Sequence, residues 1–124
     1  MPWEFRNDAP IYAQLVDLLQ RKLVTGELAP GQRLPSVREL AGEAGVNPNT
    51  MQRAMSELER QGLVFSQRTS GRFVTEDENL VTALREQMAR RQAEEFLEGM
   101  NLLGFGQSEI LPFLEKVRKE TETV

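Results

Sequence analysis

Residues 36–62 read SVRELAGEAGVNPNTMQRAMSELERQG, and two helix starts separated by one turn are written into them. Ser36-Val37-Arg38-Glu39 has the form of a capping box: the Ser36 hydroxyl accepts from the Glu39 backbone N–H while the Glu39 carboxylate reaches back. Val37, Leu40, Ala41 and Ala44 make the helix that follows short and apolar on one side. Gly45-Val46 turns the chain. Asn47 before Pro48 then reads as a cap and a first helical residue. Met51, Ala54, Met55 and Leu58 recur at helical spacing as a buried stripe, and Gly62 supplies a left-handed stop.

Outward from this centre the signals continue. Pro10 suits the first position of an earlier helix, in which Ile11, Leu15, Leu18, Leu19 and Leu23 form the apolar side and Thr25-Gly26 the end. Ahead of it, Trp3 and Phe5 alternate with Glu4 and Arg6 in a short extended segment expected to cover the core. Ala29-Pro30-Gly31 is a turn. Past Gly62, the β-type runs Leu63–Ser66 and Arg72–Thr75 flank a polar tip, Gln67-Arg68-Thr69-Ser70-Gly71. Helix, helix, turn, helix and hairpin is the order of a winged helix-turn-helix. The expected fold is therefore mainly α with a small β-hairpin: a winged helix-turn-helix over residues 1–75, then a two-helix dimerisation tail over 76–124.

The tail opens on Glu76-Asp77-Glu78-Asn79, acidic residues that suit a helix N-terminus. A long helix is expected from about Asn79 to Leu103, with Leu80, Leu84, Met88, Ala93, Phe96, Leu97, Met100 and Leu103 as its apolar residues and Gly104 as its end. Gly106-Gln107-Ser108-Glu109 suits the cap of a final helix with Ile110, Leu111, Phe113, Leu114 and Val117 inside. Pro112 is awkward there, so that helix is either kinked or begins near Pro112. A single winged helix cannot bury such a stripe. Pairing of two tails through Leu84, Met88, Phe96, Leu97, Met100, Leu103, Phe113 and Leu114 does so, and a two-fold dimer matches a palindromic operator. The rival arrangement folds the tail back on its own head. Phe96, Met100 and Phe105 together are read as core rather than as a cleft.

Composition narrows the chemistry. The chain has 124 residues with no cysteine and no histidine. Disulfides and thiol chemistry are thus excluded, and the commonest general base and metal ligand are missing. No catalytic, cofactor or metal site is expected. The N-terminus lacks an apolar export signal and no run is long enough to span a membrane, so a cytoplasmic protein is expected. The net charge of −4 is unevenly placed. Residues 1–75 carry nine Lys and Arg against eight Asp and Glu, whereas residues 76–124 carry six against eleven. Within 33–72, six Arg face four Glu, the direction that phosphate contact requires.

In a helix-turn-helix the second helix enters the major groove with its first turn nearest the bases. Asn49, Thr50, Gln52 and Arg53 lie there or on the exposed side. Asn and Gln pair bidentately with adenine, and Arg with guanine. Ser36 and Arg38 open the preceding helix, where a phosphate can be seated; Arg38 can instead pair with a glutamate. Arg68, Thr69, Ser70, Gly71 and Arg72 form the hairpin tip, from which the two arginines reach DNA backbone or minor groove. Gly71 permits positive φ or close approach.

The run Pro10-Ile11-Tyr12-Ala13-Gln14-Leu15, then GELAPGQRLPSVRELAGEAGVNPNTMQRAMSELERQGLV over 26–64, then Gly71-Arg72-Phe73-Val74, resembles the GntR family of bacterial transcription regulators. The NPNT element and the short two-helix tail resemble its YtrA-like subfamily, whose members are homodimers held by that tail. The resemblance implies DNA-contact roles for Ser36, Arg38, Asn49, Thr50, Gln52, Arg53 and the wing tip, with a double-stranded operator as partner. Two positions depart from the family pattern: Pro48 stands where many members carry Arg, and Thr69-Ser70-Gly71 keeps only the second glycine of a Gly-x-Gly wing. The expected function is sequence-specific binding of a palindromic operator by a homodimeric regulator, as a repressor open to modulation by a small-molecule effector whose identity the residues do not specify. The alternative is a winged helix that docks a partner protein. A small hydrolase is disfavoured, because adjacent Glu94 and Glu95 do not face each other on a helix.

Overall fold

The computed structural model describes residues 3–122. Its elements are α1 (Ile11–Val24), α2 (Val37–Ala44), α3 (Pro48–Arg60), β1 (Val64–Gln67), β2 (Gly71–Val74), α4 (Glu78–Leu102) and α5 (Gln107–Glu122). The chain divides into two compact units, residues 1–85 and 86–124, with α4 contributing to both.

In the first unit the helix ends form as their residues dictate. The α2 capping box is complete, with the Glu39 N–H donating to Ser36 Oγ (3.1 Å) and the Ser36 N–H to Glu39 Oε1 (3.3 Å). Gly45 closes α2 at φ +69°, and the Val46 N–H returns to the Ala41 carbonyl. Asn47 caps α3 through Oδ1, which accepts from the Asn49 N–H at 2.7 Å, and Pro48 is the first helical residue. Pro10 differs from expectation by one position. It is the cap of α1, with extended ψ of 137°, and its carbonyl accepts from the Gln14 N–H. The Gln14 side chain in turn ties down the preceding segment through Arg6 and Ala9.

The core lies where α1 and α2 both pack on α3. Leu15 and Leu19 of α1, Leu40 and Ala41 of α2, and Met51, Ala54, Met55 and Leu58 of α3 are buried, together with Leu63, Val64 and Val74. Ile11 is the exception to the α1 stripe, being exposed at the helix start. Buried Gln20 is satisfied by Gln61 Oε1 (2.8 Å), whose own amide donates to Glu57.

The hairpin pairs Val64 with Val74 and Gln67 with Gly71, one residue later at its first strand and one earlier at its second than the apolar runs suggest. A further pairing is not foreshadowed by periodicity. Arg33 bridges Phe73 antiparallel, with the Leu34 N–H donating to the Arg72 carbonyl and the Val74 N–H to the Gln32 carbonyl, both at 2.9 Å. The segment after the Pro30-Gly31 turn is thereby fastened to the wing.

Asp77 caps α4 through Oδ1 at the Leu80 N–H, and Leu80 and Leu84 pack within the first unit. In the second unit Gly104, at φ +92°, ends α4, with the Phe105 N–H donating to the Met100 carbonyl. Helix α5 starts at Gln107, and the Gly106 N–H donates to Glu109 Oε1, the reciprocal half of a capping box. Of the two alternatives for Pro112, a start at that residue is overturned, since α5 begins at Gln107 and passes through it. Pro112 is the sixth helical residue and deprives only the Ser108 carbonyl of its partner. Both residues are exposed, so water replaces that bond.

Candidate nucleic-acid interface

Burial of Met51, Ala54, Met55 and Leu58 turns Asn49, Gln52, Arg53 and Ser56 outward, with Thr50 half-buried. The Gln52 amide donates to Ser56 Oγ (3.1 Å), leaving its carbonyl and a second N–H for another partner. The Arg53 guanidinium lies 4.3 Å from the centroid of the Tyr12 ring of α1. The planar cation stacks on the ring while its edge donors stay exposed.

A solvent-open groove of about 740 Å³ runs between the start of α2 and the wing. It brings together Ser36, Arg38, Gln52, Gly71 and Arg72; Asn49, Thr50, Arg53 and tip residues 68–70 do not line it. The Ser36 hydroxyl oxygen accepts from Glu39 but its hydrogen remains free to donate. Gly71 ends the three-residue tip at φ +101°, a backbone state that β-carbons resist.

The structure gives Arg72 a task in addition to the DNA contact expected of it. Its Nε donates to Glu59 of α3, to which the Ser66 hydroxyl also donates at 2.9 Å, so Arg72 clamps the wing to α3. Arg60 is likewise paired, with Glu57. Among the described residues, Arg33, Arg38, Arg53 and Arg68 have no carboxylate partner and are exposed. Sequence reasoning missed Arg33. Its only signal was an alternation of exposed Arg33 and buried Leu34 between a turn and Pro35, a run too short to read as a strand.

Hydrogen bonds from Arg60 and Gln61 hold the half-buried Glu57 carboxyl down to about 2. Glu59 also sits below the usual carboxylate range, chiefly through its bond from Arg72, with partial burial opposing the shift and Ser66 adding to it. A carboxyl depressed in the folded state contributes stability above its ordinary value near 4.5, and that contribution is lost as pH falls through the lower folded value. Glu59→Gln is therefore expected to lower stability by up to about 1 kcal/mol at neutral pH, the pair being partly exposed. In urea unfolding, wild type and variant should converge as the pH drops below that range. A gap independent of pH would mean that the clamp is not ionic.

In the second unit, Phe96, Leu97, Leu103, Phe113 and Leu114 are exposed and Met88 is half-buried. Leu84 and Met100 differ from the pairing surface expected of them. Both are 8% exposed, covered within their own units, and leave little apolar area to offer a partner. The Phe105 and Phe113 rings meet at 5.0 Å, and buried Ile110 completes the local core.

Residues 11–74 match the model of the bacterial regulatory proteins of the gntR family. The chain belongs to the gntR family. Across 108 residues it is 43% identical to the helix-turn-helix-type transcriptional regulator YhcF of Bacillus subtilis, covering 87% of this chain and 89% of that one. It is 34% identical over 103 residues to the helix-turn-helix-type transcriptional repressor YtrA of the same organism, covering 78% and 79%. Among solved structures, a gntR-family transcriptional regulator from Listeria monocytogenes superposes with a TM-score of 0.83 at 37% identity, over 90% of this chain and 98% of that one. The DNA-binding domain of AraR in complex with operator ORX1 matches at TM-score 0.54 and 29% identity, over 60% and 99%. This gntR-family chain is a DNA-binding transcriptional regulator of the YtrA-like kind, with the winged helix as its head.

Proposed function

We propose that the protein acts as a homodimeric repressor on a two-fold symmetric operator in the bacterial cytoplasm, and that it is not an enzyme. Asn49, Thr50, Gln52 and Arg53 read bases from the first turns of α3. Ser36 and Arg38 hold phosphate, and Arg68, Thr69, Ser70 and Gly71 present the wing, which Arg72 fixes from behind. The observation that carries this reading is the distribution of unpaired arginines. Among the described residues, positions 33, 38, 53 and 68 of the head have no carboxylate partner, and Arg33 and Arg38 line one groove with Gln52 of the reading helix, although the whole chain is acidic.

The names of the relatives support repression, and the operator complex of the AraR domain supports DNA as the partner. Pairing of the 86–124 units is supported by their exposed apolar residues, among them Phe96, Leu97, Leu103, Phe113 and Leu114. The expected domain division, 1–75 for DNA and 76–124 for pairing, is kept with one change: the first turns of α4 are built into the head.

Fluorescence anisotropy on a duplex selected by the protein from a random library tests DNA binding against protein docking. Affinity should fall roughly a thousandfold or more between about 50 and 200 mM salt, as several phosphate contacts require. Affinity indifferent to salt, or no duplex selected, would leave the head as a protein-docking module.

A further inference from the structure

Arg33 counts among the unpaired arginines of the head, and the fold holds it firmly. Its backbone is bridged to Phe73, and the residues on either side bond to the carbonyls and N–H groups of β2. Its Nε lies 3.2 Å, and its Nη2 3.6 Å, from the point where a β-carbon on Gly71 would stand. The guanidinium therefore rests in the space that the wing glycine leaves open. A glycine at 71 thus serves a second purpose beyond its positive φ: any side chain would crowd Arg33.

Arg33 and Arg38 line the same groove from two separate elements, with Arg72 as its third cation. Arg72 is neutralised by Glu59. Glu39, the one carboxylate in the groove wall among the described residues, has Oε1 turned onto the Ser36 N–H. Two exposed arginines thus line one groove with no carboxylate partner among the described residues. Such a pair repels itself until an anion enters, and the planar fork of arginine matches a phosphate bidentately. Because the backbone of Arg33 is already fixed by the sheet, little chain ordering opposes the contact.

We infer that Arg33 is a further DNA-contacting residue, seating a backbone phosphate between the wing and α2; this rests on the operator-binding reading. The contact carries position rather than sequence, since a phosphate is common to every duplex.

The test is the salt dependence of binding by the full chain, measured on the library-selected duplex and on a scrambled duplex of equal length. Arg33→Gln should weaken both by a similar factor, and reduce the slope of log affinity against log salt by about 0.9 for each chain bound. Arg33→Lys should keep the slope and recover part of the affinity, which a purely structural role would not predict. Wild-type affinity and slope in Arg33→Gln, beside a clear loss in Arg38→Gln, would overturn the assignment while leaving operator binding intact. A loss confined to the selected duplex with an unchanged slope would also overturn it, by making Arg33 a base reader. If the wild type binds neither duplex, operator binding fails and the inference falls with it.

Discussion

Replacing Leu97 and Phe113 together by glutamate is expected to yield a monomer in sedimentation at micromolar concentration and to remove most operator affinity. Both side chains lie on the second unit and are substantially exposed, at 44% and 38%. Burying such residues against a second copy contributes up to about 1.5–3 kcal/mol each when burial is complete. Glutamate forfeits that gain and, in a closed interface, adds a carboxylate that must be desolvated without a counter-ion. A chain that no longer pairs must assemble on the DNA, and each 1.4 kcal/mol of lost pairing costs about tenfold in affinity. The expected loss is about a hundredfold or more. The unfolding of the head should be preserved, because neither residue belongs to the first unit, and loss of the Phe105–Phe113 ring contact acts on the second unit alone. Substituting Leu84 or Met100 would be a poor test, since both are covered within the chain and their loss acts on folding. A persistent dimer in the double variant would move the interface elsewhere.

The second large effect is at the reading surface. Arg53→Ala and Arg38→Ala are each expected to weaken operator binding by about 1–3 kcal/mol per half-site, but in different ways. Arg53 projects from α3 and is held over Tyr12, so its guanidinium arrives with part of its ordering already done. Its removal should relax discrimination at one base position in each half-site. Arg38 opens α2 beside the wing groove, and its removal should weaken all duplexes alike. Binding to a panel of single-base operator variants separates the two patterns. A uniform loss in Arg53→Ala would place that residue on the DNA backbone, and unchanged affinity in both variants would remove the assigned surface altogether.

Most of the head was legible because its signals are local. The Ser36–Glu39 box, the Asn47-Pro48 start and the glycines at 45 and 62 each act within a few residues, through caps and backbone angles that no distant neighbour can override. The outward set of α3 followed from the inward one. What escaped depends on partners far along the chain. Arg33 pairs with Phe73, Arg53 rests on Tyr12, and Arg72 is held by Glu59. None of these has a period or a cap to announce it. The Arg72 case is instructive: an arginine beside a wing tip reads as a DNA contact alone until a carboxylate on another element is found beside it.

The tail shows the same limit in apolar form. Leu84, Met88, Phe96, Leu97 and Met100 recur along one long helix, and spacing cannot say which are covered within the chain. Leu84 and Met100 are; Phe96 and Leu97 are not. A helix start near Pro112 fails for a different reason. A proline is costly in a helix interior, but here it falls early in an exposed helix, where the orphaned carbonyl reaches water.

The central claim is that two copies, joined through residues 86–124, place two reading helices on one operator. Its most direct measurement is the mass of the wild-type complex with the selected duplex by light scattering, taken with a hydroxyl-radical footprint. Two chains per duplex, and two related protected patches separated by about one helical turn or a multiple of it, are the predicted result. One chain per duplex with a single protected patch would contradict it.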